Sequence, residues 1–229
     1  MNIVSPPPLG HVRVTLEEEE ALHVLHSKAI LSYQGSPLGR EDKLMGLGGA
    51  FRKKKWIRTR LQGPSSFLLG LPAGFSFEAI EIPAESNLLF DFRHVVFFTE
   101  GMNYRSKVLK LKTAWITKEL IRIKFSGPGK LGIISVGDIA AMQLDPEIPL
   151  FVDTSALVAY PEDASIQLSV YGNSLASQHM NVQWELRGTG PVLIQTGSRD
   201  RQLETKLTED GWIKRLLREL LPFGSVYIK

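Results

Sequence analysis

The sequence predicts an all-β protein made of three copies of one unit, followed by a short C-terminal amphipathic helix. Three observations carry that expectation. Apolar and polar residues alternate in "WIRTRL" (56–61), "LIRIKF" (120–125), "SIQLSV" (165–170) and "NVQWEL" (181–186). That is the period of a strand with one face in a core. Gly, Pro, Asn, Asp and Ser punctuate the chain every 8–15 residues, a spacing that suits short strands. The same local pattern also returns at a fixed interval, which is the mark of internal repetition.

Two markers set that interval. "RTRLQGPSSFLL", "RIKFSGPGKLGI" and "QWELRGTGPVLI" each join an alternating strand to a second apolar strand through Gly63, Gly127 and Gly188, which stand 64 and 61 residues apart. "LHSKAILSY", "FDFRHVVFF" and "VDTSALVAY" place Tyr33, Phe98 and Tyr160 in register, 65 and 62 residues apart. The expected organisation is one β domain over 1–205, with repeats at about 20–82, 83–148 and 149–205. A helix and tail follow over 206–229. In that tail "DGWIKRLLRELL" sets Trp212, Ile213, Leu216, Leu217, Leu220 and Leu221 on one stripe, opposite Lys214, Arg215, Arg218 and Glu219. Asp210 suits the N-cap, and Pro222 with Gly224 ends the helix. Such a stripe covers an open end of a β core or a neighbouring subunit, or lies on a membrane surface.

Composition narrows the function. Hydrophobic residues make up 43% and charged residues 22% of the 229, within the range of a globular domain. No stretch approaches the ~18 continuous apolar residues of a membrane-spanning helix, and "MNIVSPPPLG" does not read as a secretory signal. Cysteine is absent, which excludes disulfides, thiolate metal sites and cysteine nucleophiles. A cytoplasmic location is expected. The net charge of +3 is too small to imply nucleic acid by itself, so local clusters of Lys and Arg matter more.

One such cluster is the candidate binding segment. In "FRKKKWIRTR" (51–60), Arg52, Lys53, Lys54 and Lys55 precede Trp56, and Arg58 and Arg60 share one face of the following strand. Cations beside an aromatic ring can hold phosphates and stack a base, or touch an anionic lipid surface. The same charges can instead protect an edge strand after the glycine-rich loop 46–50. "SGPGKLG" (126–132) fits the spacing of a dinucleotide loop. That motif needs a helix straight after it, whereas "IISVGD" follows, and the sibling segments make it a turn between strands. No cofactor is expected. His23 and His26 lack a third ligand at a recognisable spacing, so no metal site is expected. Asp91 and Asp153 stand at matched places and read as turn-fixing carboxylates. No catalytic constellation is recognisable, and the enzyme reading is left leaning to no. A homo-oligomer or a protein partner is expected, with an anionic surface as the alternative.

The motif "FVDTSALVAYPEDASIQLSV" followed by "WELRGTGPVLIQTGSR" resembles the altered inheritance of mitochondria protein twenty-four family, formerly a domain of unknown function. The first family segment falls on Val152, Asp153, Thr154, Leu157, Val158 and Ala159. The second falls on Gly188, Gly190, Val192, Ile194, Gln195 and Thr196. The loop and basic strand at 46–60, then "GPSSFLL", are similar to the family's first repeat. The resemblance covers roughly 20–200. It implies a fold like that of the trp RNA-binding attenuation protein: a β-sandwich or double-stranded β-helix unit, here in three copies with pseudo-threefold symmetry. It implies bacterial and mitochondrial relatives, no established enzymatic activity, and a proposed role in membrane organisation for the mitochondrial ones. It brings no catalytic residues. This sequence departs in having less glycine in the first loop, a triple lysine there, and the added terminal helix.

Overall fold

The computed structural model describes residues 1–4, 10–45, 56–108, 121–170 and 182–197. All of them belong to one compact unit, Met1–Gly197. The expected helix and tail at 206–229 lie outside the described residues, as do the loop 46–50 and Arg52–Lys55.

Among the described residues there are nineteen strands and no α-helix. The first eight are β1 (Asn2–Val4), β2 (His11–Leu16), β3 (Ala21–Val24), β4 (Ile30–Gly35), β5 (Arg40–Met45), β6 (Trp56–Gln62), β7 (Ser65–Gly70) and β8 (Phe75–Ile82). The next six are β9 (Leu88–Asp91), β10 (Val95–Thr99), β11 (Asn103–Val108), β12 (Ile121–Ser126), β13 (Gly129–Val136) and β14 (Ile139–Leu144). The last five are β15 (Leu150–Asp153), β16 (Leu157–Pro161), β17 (Ser165–Val170), β18 (Val182–Arg187) and β19 (Gly190–Gln195). Short 3-10 turns lie at Ser27–Ala29, Pro37–Gly39 and Phe92–His94.

The strands form four antiparallel sheets, ordered β1-β2-β7-β4, β5-β6-β3-β10-β13-β8, β11-β12-β9-β16-β19-β14 and β15-β18-β17. One set of pairings returns three times along the chain. β3 pairs with β6, β9 with β12 and β15 with β18. β5 flanks β6 as β11 flanks β12 and β17 flanks β18. β4 pairs with β7, β10 with β13 and β16 with β19, and each ladder shifts register at the same place: Ile30/Ser32, Val95/Phe97 and Leu157/Ala159. The sets are linked by β10 lying beside β3 and by β16 lying beside β9.

Alternation explains the strands. In β2, Val12, Val14 and Leu16 are buried, and in β7 so are Phe67 and Leu69. Together with Leu22, Val24 and Leu61 they form the first of three apolar clusters. The second gathers Phe90, Phe98, Ile123, Phe125, Leu131 and Ile133, and the third Val152, Leu157, Trp184, Leu186 and Val192. Burial of this kind contributes about 25 cal/mol per Å² of apolar surface removed from water, and it is what selects the register of each strand.

The "SGPGKLG" stretch is a corner. Chain leaving β12 in one six-stranded sheet enters β13 in the other, with Gly127 at φ 93° between them. β6 to β7 at Gly63, and β18 to β19 at Gly188, change sheets in the same way. At Gly63 a Cβ would come 1.8 Å from the Glu17 carbonyl oxygen, so only glycine lets the two segments approach this closely.

Candidate anion-binding face

The described part of the basic segment is β6. Thr59 and Leu61 point into the core and are fully buried, while Arg58 and Arg60 point the other way. Trp56 is placed as the first residue of β6, opposite Met45. On the same face, β5 sets Lys43 opposite Arg58 and Glu41 opposite Arg60. β3 sets His23 opposite Arg60, and β10 sets Phe98 opposite His23. Four neighbouring strands therefore bring these groups together.

The two arginines are used differently. Arg60 donates from Nε and Nη2 to the two carboxylate oxygens of Glu100, at 2.7 and 2.8 Å, and from Nη1 to Gln62 at 2.9 Å. The hydrogen bonds from Arg60 hold the Glu100 carboxyl below its usual range, against the opposing effect of burial, and those to Glu100 raise Arg60 further. This forked pair ties β6 to the turn after β10. Arg58 lies with its guanidinium carbon 5.5 Å from the centre of the Tyr104 ring, a cation–π distance. Its buried Nε has no hydrogen-bond partner. Lys43, across from it, reaches Glu41 at 2.9 Å.

His23 sits between the arginines and the core. Burial, and then the Arg58 charge, push its pKa down to about 4. It is neutral at pH 7 and stacks on Phe98 with ring centres 4.9 Å apart. His26 packs on Phe92 and is also pushed down by burial. Among the described residues no group of three or more His, Cys, Asp or Glu is placed to hold a metal ion. Glu100 also borders a shallow cavity of about 290 Å³ that Glu20, Thr99 and Lys130 line. Glu20 bonds the Met1 amino group and is held below its usual range chiefly by that bond. A carboxylate held ionised in this way is a poor proton donor near neutrality.

The position that matches Arg58 on β12 carries a group the alternation pattern did not reveal. "LIRIKF" reads as one buried and one exposed face, yet Arg122 is fully buried along with Ile121, Ile123 and Phe125. Its Nη1 donates to the Val158 carbonyl at 3.2 Å, and its guanidinium carbon is 5.2 Å from the Tyr160 ring centre. Asp91 is its partner across the β9–β12 ladder. Burial would raise the Asp91 carboxyl. Hydrogen bonds from Arg93 and the charge of Arg122 outweigh that effect and hold it low. Asp91 accepts from the Arg93 backbone N–H at 2.9 Å, and Asp153 from the Ser155 N–H at 2.8 Å, so both carboxylates fix turns. The one sequence signal for this buried pair was an aspartate opening a "DFR" turn at the end of a strand.

The family model for mitochondrial biogenesis AIM24 matches residues 2–197. The chain belongs to the AIM24 family. The matched span includes both arginine positions and all nineteen described strands. No curated protein matches the chain. Among solved structures, a crystal structure of a Streptococcus pyogenes protein superposes with a TM-score of 0.65 at 16% identity, covering 91% of this chain and 98% of that one. At that identity the likeness shows the fold. Among the described residues no helix is long and apolar enough to cross a membrane.

Proposed function

We propose that this AIM24-family chain is a non-catalytic β-repeat scaffold or interaction module that works as an oligomer in the cytoplasm. Its three units, at about 20–82, 83–148 and 149–205, are of the trp RNA-binding attenuation protein-like kind, sandwich or double-stranded β-helix. The observation that supports this reading is the threefold return of one pairing set with its register shift at the same place. Units that share sheets with their neighbours present repeated edges and loops for assembly. Light scattering on the purified full chain tests it. The expected mass is a multiple of 25.6 kDa, or that of a complex with a co-purifying protein. A lone monomer at every concentration would end the scaffold reading.

A second reading is binding of an anionic partner, a nucleic acid or a lipid headgroup, through Arg52, Lys53, Lys54, Lys55, Trp56, Arg58 and Arg60. One observation favours it. Lys43 and Arg58 stand directly opposite each other across the β5–β6 ladder. Like charges so placed destabilise a sheet, and a bound anion relieves them. Tyr104 beneath Arg58 supplies an aromatic surface beside the charge. Binding of single-stranded RNA and of anionic vesicles is to be titrated against salt, for the native chain and for a Lys53→Glu, Lys54→Glu, Lys55→Glu variant. The reading expects a steep fall of affinity with salt and its loss in the variant. Unchanged binding would rule it out.

A further inference from the structure

One rung of the ladder returns in all three units with a different pair of side chains. It lies five residues before each corner glycine. In the second unit Arg122 of β12 faces Asp91 of β9, and in the third Gln183 of β18 faces Asp153 of β15. Both rungs carry an aspartate. In the first unit the rung carries Arg58. Val24 faces Thr59 there as Phe90 faces Ile123 in the second unit, so the next residue, Leu25, holds the place of Asp91. Leu25 is apolar and 1% exposed. On its other side Arg58 meets Lys43 of β5. The first unit thus has the cation of this rung and no carboxylate on it.

The neighbouring carboxylates are already engaged. Glu41 pairs with Lys43 and Glu100 with Arg60, while Asp42 accepts from Thr59 on the opposite face of the sheet. Among the described residues Arg58 has no carboxylate or carbonyl to receive its N–H groups, and its contact is the Tyr104 ring at 5.5 Å. Its Nε is buried without a hydrogen-bond partner. So is Nδ1 of His23, which lies on the diagonal of the same face and is 8% exposed. Buried donors are paired in nearly all folded proteins. Two open ones on adjoining rungs call for an acceptor that the described residues do not supply.

We propose that Arg58 anchors a carboxylate-binding site, with Lys43 beside it and Tyr104 beneath it. The proposal rests on the second reading above, that this face receives an anion, and it assigns that anion's chemistry. Three observations select a carboxylate. With Lys43 and Arg60 paired, one positive charge is left over, which suits a monoanion better than a phosphate monoester. A planar guanidinium fork gives parallel N–H groups to the two oxygens of a carboxylate. The same rung holds an aspartate in both other units. Leu25 fills the β3 side, so the carboxylate comes from outside the chain and meets Arg58 on the β5 side. Its source is a small molecule or an acidic peptide segment.

Arginine Nε–H resonances of the full-length chain at pH 7, assigned with Arg58→Gln, give a direct readout. The probes are acetate and a hexaglutamate peptide, with inorganic phosphate for comparison. Both carboxylates should shift the Arg58 signal with half-saturation in the millimolar range or below. The signal of Arg60, held by Glu100, should stay in place. Arg58→Gln should keep its melting curve and lose the binding. A hexaglutamate affinity roughly tenfold or more above that of acetate identifies an acidic peptide as the source, and a smaller gain a small molecule. No shift at Arg58, or one no stronger than at Arg60, overturns the proposal. Tighter binding of phosphate also overturns it and leaves the nucleic-acid or lipid reading standing. A Lys53→Glu, Lys54→Glu, Lys55→Glu chain should keep the carboxylate response of Arg58. If the native chain binds RNA or anionic vesicles while Arg58 ignores carboxylates, only this proposal fails. If it binds none of them, the anionic-partner reading fails with it.

Discussion

Arg58 and Arg122 each stand five residues before a corner glycine, Gly63 and Gly127, on strands paired in the same way. One is half-buried and the other is fully buried. The strand beside each decides which. β9 extends to Asp91 and sets that carboxylate opposite Arg122. β3 stops at Val24, opposite Thr59, so Arg58 has no ladder partner on that side, and on its other side it meets Lys43. A guanidinium enters a core only when a charge and hydrogen-bond acceptors go with it. Arg122 has Asp91, the Val158 carbonyl and the Tyr160 ring; Arg58 has the Tyr104 ring and is only half-buried.

This contrast can be broken at several points. Arg122→Ala should have the largest effect, a loss of about 3–5 kcal/mol in chemical denaturation, because it leaves a buried carboxylate short of charge. Asp91→Asn should cost about 2 kcal/mol at pH 7, the weight of hydrogen bonds to a charged acceptor. It should also change the acid limb. The folded-state pKa of Asp91 is held below its ordinary value of 3.8. The stability this provides is complete above that value and is lost as pH falls through the folded one. The native chain should therefore lose stability below about pH 4, and the asparagine variant should show a flatter decline in a urea series at stepped pH.

Smaller effects sharpen the comparison. A double-mutant cycle on Arg60 and Glu100 should give a coupling of about 0.2–1 kcal/mol that shrinks with salt, since the pair is partly exposed. Lys124 reaches Glu162 at 2.9 Å from the matching position on β12, and its cycle should give a similar value. A coupling at only one of the two would show that the linked units are not equivalent in energy. Arg58→Ala should have the smallest effect on stability, about 0.5 kcal/mol, from the loss of a partly exposed cation–π contact.

Much of the fold was legible because strand alternation and turn chemistry are local. "SIQLSV" is β17 to the residue, and "NVQWEL" lies one residue from β18. The glycine at 127 declared a corner through its neighbours, since no helix could follow it. The candidate face was legible only as a charge run. That Arg60 is held by Glu100, forty residues away, depends on β3 lying between β6 and β10 in one sheet. That His23 stays neutral depends on burial beneath Arg58.

By itself the sequence determined the all-β class, the positions of most strands, the corner glycines and the family. Each follows from steric and hydrophobic preferences acting over a few residues. Tertiary structure alone decided which of two matched arginines is buried and which carboxylate each cation meets. Those outcomes depend on which strand becomes the neighbour, and strand neighbours are chosen by packing between segments far apart in the chain.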